Sequence, residues 1–320
     1  MDFYSGRLVL VTGGLGFIGS NLVLRLLNSG ARVRVMDHSW PGAGSTALDR
    51  GTIEFLRADV RDATALQEAV HGCSVLFNLA GRSGSAASNS SPLEDLDINA
   101  RGHLTILEAC RQFAPELKVV FPSSRLVYAP TTQLPVAESA VIGPLSIYGI
   151  HKLVGEHYHL LYGRIHGIRS TVLRITNPYG PHQRRDQSRY GIINWFIHRA
   201  LSGQDLPIYG DGSQLRDYVH VDDVVHALMT AGRSEQADGR IFNVGGGHPV
   251  AFKDMAELVI AHTHSGCIRF VEWPQDAASV ETGDFVADIG LIERVLGWAP
   301  TVGLELGIED TIRKYGRAHT

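Results

Sequence analysis

The chain has 320 residues, 44% hydrophobic and 19% charged, a composition that suits about two globular units of roughly 150 residues and excludes a miniprotein or a disordered chain. Twenty-nine Lys and Arg against 33 Asp and Glu leave a net charge of −4, which provides no basic field for nucleic acid. Cys73, Cys110 and Cys267 form no CxxC pair, so neither a disulfide framework nor a metal site is expected. No apolar run reaches the roughly 20 residues that cross a bilayer, and the expected setting is the cytoplasm.

In chain order, short β-branched runs alternate with longer runs of helical period, the pattern of a parallel sheet with crossover helices. Strands are predicted at Leu8–Val11, Val33–Met36, Ile53–Leu56, Val75–Phe77, Val119–Phe121 and Thr171–Leu173. Helices are predicted near 17–29, 62–71, 93–113 and 146–166, the last from the spacing of Ile147, Val154, Tyr158, Leu161 and Ile165. The order is that of a doubly wound α/β Rossmann sheet. After Arg174 a stretch rich in Pro, Gly and Arg precedes a helix at Ile192–Leu201, and Ile241–Val244 is β-rich enough to return to the main sheet. The expected division is a dinucleotide-binding domain of 1–176 plus about 217–246, and a smaller discontinuous lobe of about 177–216 and 247–320.

The strongest local signal is Val9-Leu-Val-Thr-Gly13-Gly-Leu-Gly16-Phe-Ile-Gly19, a strand running into a glycine-rich turn and then a helix. Gly13 permits the tight turn, Gly16 lets backbone approach a pyrophosphate, and Gly19 lets the helix lie close to the sheet, its N-terminus facing phosphate charge. Asp37 closes the second strand, where a carboxylate accepts from ribose hydroxyls and repels a 2′-phosphate, so NAD is expected rather than NADP. Asp59-Val60, after the third strand, suits contact with adenine, although an Asp there is also ordinary turn chemistry.

A second constellation is Ser124 with Tyr148-Gly-Ile-His-Lys152. Tyr and Lys four apart share a helix face, so the ammonium is expected to lower the phenol's pKa and make it a general base. With four lysines and ten tyrosines in the chain, a chance Tyr-x-x-x-Lys is expected about 0.1 times. The histidines at 151, 157, 159, 166, 262 and 264 combine with no carboxylate as a metal cage requires, and a surface or interface position is expected for them.

These motifs resemble the extended short-chain dehydrogenase/reductases, and within them the NAD-dependent nucleotide-sugar epimerase/dehydratase group. TGGLGFIGS (12–20), Asn78-Leu-Ala-Gly81, Ser88 with Pro92, Asn99 with Gly102, PSSRLVY (122–128), YGIHK (148–152), RITNPYGP (174–181), GDGSQLRDYVHVDDV (210–224) and FNVGGG (242–247) follow in family order along almost the whole chain. The resemblance implies cofactor contacts from Phe17, Ile18, Leu79, Ala80, Gly81 and Asn99 besides the residues above, with Lys152 on the nicotinamide ribose. It implies that Tyr148 exchanges the proton and that Ser124 hydrogen-bonds the reacting sugar oxygen. Ser88 would contact the substrate, and Asn177 and Arg216 its diphosphate. It also implies a homodimer through the helices at 93–113 and 146–166.

The chain departs from that pattern in three places. Dehydratases and decarboxylases of the group carry an acid in the segment after the catalytic Ser or Thr; here it reads Arg125-Leu126, and leucine can neither give nor take a proton. The C-terminal Arg-x-Gly-Asp reads Glu281-Thr282-Gly283-Asp284, and a lysine found near the nicotinamide in some 4-epimerases is Ser83. Arg184, Arg185 and Arg189 follow Asn177-Pro-Tyr-Gly-Pro181, where a guanidinium could pair with a C6 carboxylate or simply face solvent. The expected activity is C4 epimerisation of a UDP-hexose or UDP-hexuronate. A 2-epimerase, a 4-ketoreductase or dehydrogenase, a 4,6-dehydratase and a non-catalytic NAD sensor stand as alternatives.

Overall fold

The computed structural model describes residues 2–39, 51–183 and 191–317. Seven parallel strands form the main sheet: β1 (Leu8–Thr12), β2 (Arg32–Asp37), β3 (Glu54–Arg57), β4 (Val75–Asn78), β5 (Lys118–Ser124), β6 (Ser170–Ile175) and, from far along the chain, Ile241–Val244. With four strands between β6 and that last one, β7 (Asn177–Tyr179), β8 (Leu206–Tyr209), β9 (Leu215–Arg216) and β10 (Tyr218–His220), the latter is β11. The strand order is β11-β6-β5-β4-β1-β2-β3. The chain winds outward from β1 through β2 to β3, then returns to place β4 on the other side of β1, so the carboxyl ends of β1 and β4 part at a topological switch point.

All residues of β1, β4 and β5 are buried, as central parallel strands covered on both faces must be. Alternation divides them: Val9, Val11, Val75 and Phe77 join the core under the helices Phe17–Asn28 and Val221–Arg233, while Leu10, Leu76 and Val119 join the core under Ala63–Val70, Gly102–Phe113 and Ile147–His166. Phe17–Asn28 starts on Gly16, which offers no side-chain cap, whereas Ala63–Val70 is capped by Asp62, which accepts from the backbone N–H groups of Thr64 and Ala65.

The predicted helix at 93–113 is interrupted. Pro92–Leu96 is α-helical, Asp97–Arg101 widens to π-helical pairing, and α-helix resumes at Gly102. The local widening carries Asn99, whose carboxamide bonds to the backbone of Arg82 and to Asp95.

The helix Ile147–His166 lies where the spacing predicts it. Of its apolar stripe Tyr158 packs on the core while Leu161 and Ile165 are 38% and 55% exposed, and the buried side holds Lys152, Gly155, Glu156, His159 and Tyr162. Glu156 takes the Ser123 hydroxyl at 2.5 Å and pairs with Arg174 at 2.6 Å, which satisfies its buried charge.

Outside the main sheet, β7 pairs with β10, β9 with β12 (Val250–Ala251) and β8 with β13 (Ile268–Val271). The helices Ile192–Leu201 and Phe252–Thr263 cover them around a core of Phe196, Leu206, Ile208, Met255 and Val259. Among the described residues no helix is long and apolar enough to cross a membrane.

Candidate functional site

One cleft of about 900 Å³ runs along the carboxyl ends of the strands, from the glycine turn after β1 to the segment after β6. At one end Gly13, Gly16, Phe17, Ile18 and Gly19 line it; facing them are Leu79, Ala80 and Gly81 after β4. The turn leaves no room for side chains. Gly13 has φ +68°, and a Cβ there would meet Ala80 N at 2.8 Å; a Cβ at Gly19 would meet the Gly13 carbonyl oxygen at 2.2 Å. Bare backbone is thus exposed to the cleft beside an uncapped helix N-terminus, which suits a pyrophosphate.

Asp37 ends β2 at the lip of the same cleft. Its Oδ2 accepts from Leu15 N–H at 3.1 Å and its Oδ1 from Ser39 N–H at 3.0 Å, so the carboxylate is fixed in place. Asp59 and Val60 line the wall beyond. The Asp59 carboxylate is held by Arg61 through two side-chain bonds of 2.8 Å and by its backbone N–H, contacts that keep it below the ordinary carboxylate range. Asp59 therefore forms the turn-type contact rather than pointing a free carboxylate into the cleft. These residues fit an adenine dinucleotide: a glycine cradle, a helix start and a fixed acid in the order its parts require.

At the centre, Ser124 ends β5, and Tyr148 and Lys152 come from the helix behind it. The Ser124 hydroxyl accepts from Leu126 N–H at 3.2 Å, and the Ser88 hydroxyl accepts from Tyr148 N–H at 2.9 Å. Lys152 Nζ donates to the Pro122 carbonyl at 2.9 Å and lies 5.7 Å from the centre of the Tyr148 ring. The expected drop in the tyrosine's pKa is not what the free protein has. Burial raises it, against the pull of a hydrogen bond with Ser124, and the Asp95 carboxylate adds to the rise, because desolvation and a nearby negative charge both disfavour a phenolate. Burial also lowers Lys152 to about 8, partly offset by Asp95 and Glu156.

Two of the six histidines expected at the surface are buried. His151 Nδ1 lies 2.6 Å from Asp95 Oδ1, and His159 stacks on Phe121 with ring centres 4.8 Å apart. Burial, with Lys152 nearby, lowers His159 to about 3, so it is a neutral part of the core. Both occupy the buried side of their helix. His157, His166 and His264 are exposed as expected.

Asn177 lines the far end of the cleft, its Nδ2 donating to the Asp217 carbonyl at 2.7 Å. Three expected contact residues lie behind the wall instead. Ser88 is buried and serves the start of the Tyr148 helix, and Asn99 ties a loop together. Arg216 is drawn back by Glu281 at 2.6 Å and by the carbonyls of Leu215 and Gly283. Arg184, with Arg185 and Arg189, falls outside the described residues.

Arg125 and Tyr218 line the cleft as well. The sequence marked Arg125 only as the place of a missing acid and gave Tyr218 no role. The clue at hand was that Arg125 directly follows Ser124.

Residues 9–245 match the NAD dependent epimerase/dehydratase family. The chain is 34% identical over 309 residues to a putative UDP-glucose 4-epimerase of Methanocaldococcus jannaschii, covering 95% of this chain and 97% of the relative. It is 34% identical over 312 residues to a UDP-glucose 4-epimerase of Mycolicibacterium smegmatis, covering 95% and 96%. The crystal structure of the UDP-glucose 4-epimerase of Thermotoga maritima with UDP-glucose is similar to it at a TM-score of 0.88 and 30% identity, over 98% of this chain and all of that one, the covered share being 100%.

Proposed function

The chain belongs to the NAD dependent epimerase/dehydratase family, and from that premise we propose that it is a nucleotide-sugar epimerase acting at C4 of a UDP-hexose or UDP-hexuronate. Its cofactor is NAD. Gly13, Gly16, Gly19 and Asp37 would hold the dinucleotide. NAD, when bound, supplies a hydride acceptor that can also give the hydride back.

Tyr148 takes the proton of the C4 hydroxyl and returns it to the same oxygen after the sugar ring has presented its other face. Ser124 holds that oxygen through its hydroxyl. Lys152 gives the positive charge that favours a phenolate in a site where burial opposes one. The described residues of about 177–216 and 247–320 would form the lobe that holds the nucleotide and sugar. A homodimer through the helices at 93–113 and 146–166 would cover the exposed Leu93, Leu96, Phe113, Leu161 and Ile165; a monomer in sedimentation at micromolar concentration would exclude it.

The observation that supports epimerisation over elimination is the state of the acids. Among the described lining residues the acids are Asp37, Asp59 and Glu94. Each is bound by a backbone N–H or an arginine: Asp37 by Leu15 and Ser39, Asp59 by Arg61, Glu94 by Arg82. Loss of water or carbon dioxide has no free carboxyl there to move its proton. The test is incubation with UDP-glucose and UDP-glucuronate, following the C4 stereochemistry by NMR. The C4-inverted sugars are expected; accumulation of a 4-keto-6-deoxy product, or of a pentose, would overturn the assignment.

A further inference from the structure

The wall of the cleft beyond Ser124 carries a cation without an anion. Arg125 begins the short turn after β5, and its side chain crosses toward the far end. Nη1 donates to Thr282 Oγ1 at 2.8 Å, Nε is 3.4 Å from Asn177 Oδ1, and the guanidinium lies 5.3 Å from the centre of the Phe285 ring. All three neighbours are uncharged. Among the described residues no carboxylate approaches Arg125 within 4.0 Å. Glu281, whose charge reaches it, is bound to Arg216.

Asp217, the other acid whose charge reaches Arg125, is held by the backbone N–H groups of Gly246, Gly247 and Ala287, so both nearby carboxylates are committed elsewhere. Burial and Arg216 pull Arg125 down to about 10, so it keeps its charge at neutral pH. A partly desolvated charge left without a counter-ion is unfavourable unless something supplies one.

A second, independent group points the same way. Tyr218 on β10 is 6% exposed and lines this cleft, and its hydroxyl has no hydrogen-bond partner. Arg216 and Arg125 both act on that hydroxyl, which places it in their field. A buried O–H donor with nothing to donate to is costly in a folded protein, and its position on the lining of a cleft means a ligand can satisfy it.

We propose that Arg125 and Tyr218 form an anion subsite in the substrate cleft, in which a carboxylate or phosphoryl oxygen of the substrate is held between the guanidinium and the phenolic O–H. The subsite rests on the reading of the substrate as a nucleotide sugar. Two groups of such a molecule have this chemistry, the diphosphate and the C6 carboxylate of a hexuronate. Because the guanidinium is fixed beside Ser124, the same residue that orients the sugar is chained to the one that anchors the anion, and a shift in either displaces the other.

The test is calorimetric titration of the NAD-loaded protein with UDP, UDP-glucose, UDP-glucuronate and inorganic pyrophosphate, for wild type, Arg125→Met, Arg125→Lys and Tyr218→Phe. Arg125→Met is expected to weaken binding about tenfold or more, the range of a charge-assisted hydrogen bond, with Arg125→Lys recovering part of it and NAD affinity unchanged. A loss shared by every diphosphate-bearing probe assigns the subsite to the diphosphate; a loss confined to UDP-glucuronate assigns it to the carboxylate. Tyr218→Phe is expected to weaken the same probes severalfold without lowering the melting temperature, since no protein partner is lost. Should Arg125→Met fail to fold, Tyr218→Phe carries the test alone. Affinities within twofold of wild type for all probes would overturn the proposal. If wild type binds pyrophosphate but no UDP-sugar, and Arg125→Met abolishes the pyrophosphate binding, the subsite stands and the nucleotide-sugar reading falls.

Discussion

The two ends of the cleft are built from different materials. The dinucleotide end is backbone: Gly13, Gly16 and Gly19 present bare peptide groups, and a Cβ at Gly13 or Gly19 would strike neighbouring backbone within 2.9 Å. The substrate end is side chain: Arg125 bonds Thr282, Arg216 pairs with Glu281, and Asn177 bonds the carbonyl of Asp217, across 157, 65 and 40 residues of sequence. A site made of backbone fails when anything is added to it. One made of paired side chains can be re-paired, and it responds by degrees.

The centre, where the two materials meet, should show the largest effect. Tyr148→Phe removes the proton carrier and is expected to lower kcat by about 10²–10⁴-fold while leaving NAD affinity within threefold; steady-state kinetics and a cofactor titration check both, and near-normal turnover would sink the mechanism. At the backbone end, Gly19→Ala puts a methyl 2.2 Å from the Gly13 oxygen. The turn must open, and NAD affinity is expected to fall by about 100-fold, with a lower melting temperature, as close packing demands. An affinity within threefold of wild type would erase the distinction between the two ends.

Lys152 sharpens the contrast through pH. Its folded pKa is about 8 against the ordinary lysine value of 10.5, so the unfolded chain binds the proton more tightly in that window and the wild type gains stability as pH rises through it. Lys152→Met lacks this titration. It is expected to be inactive yet more stable by about 1–3 kcal/mol at pH 7, an advantage that shrinks between pH 8 and 10.5; denaturant unfolding at several pH values decides. The smallest effect belongs to the re-pairable end. Glu281→Gln leaves Arg216 its two carbonyl acceptors but frees its charge, and KM is expected to fall by about 1.5–5-fold, the range of a partly exposed ion pair. A rise in KM would mean that Glu281 itself supports substrate binding.

How far the sequence reached follows the same division. The order and nature of the seven strands, the glycine turn, Asp37 and the Tyr148–Lys152 pair were legible, because each rests on local pattern or spacing, whereas the place of Ser124 beside that pair came from the family resemblance. The inward face of the helix Ile147–His166 was not legible. Periodicity assumes that the apolar side faces the core, and here the core side holds Lys152, Glu156 and His159 because Asn78, Ser123 and Arg174 are there to meet them. His151 was placed at the surface for want of Asp95, a residue 56 positions away. Arg216 was placed on the substrate because its pairing with Glu281 is invisible until two distant segments are brought together.

By itself, then, the sequence determined the parts governed by local stereochemistry: a parallel sheet, a phosphate-sized turn where only glycine fits, a catalytic pair one helical turn apart. Tertiary structure alone decided which charges are already spent. Arg216 and Glu156 are neutralised within the protein by Glu281 and Arg174, while Arg125 lines the cleft with no carboxylate upon it and the buried Tyr218 hydroxyl is left without a partner. The physical reason is that electrostatic and hydrogen-bond pairing depends on separation in space, and folding brings these groups within about 3 Å of partners that the chain keeps far apart.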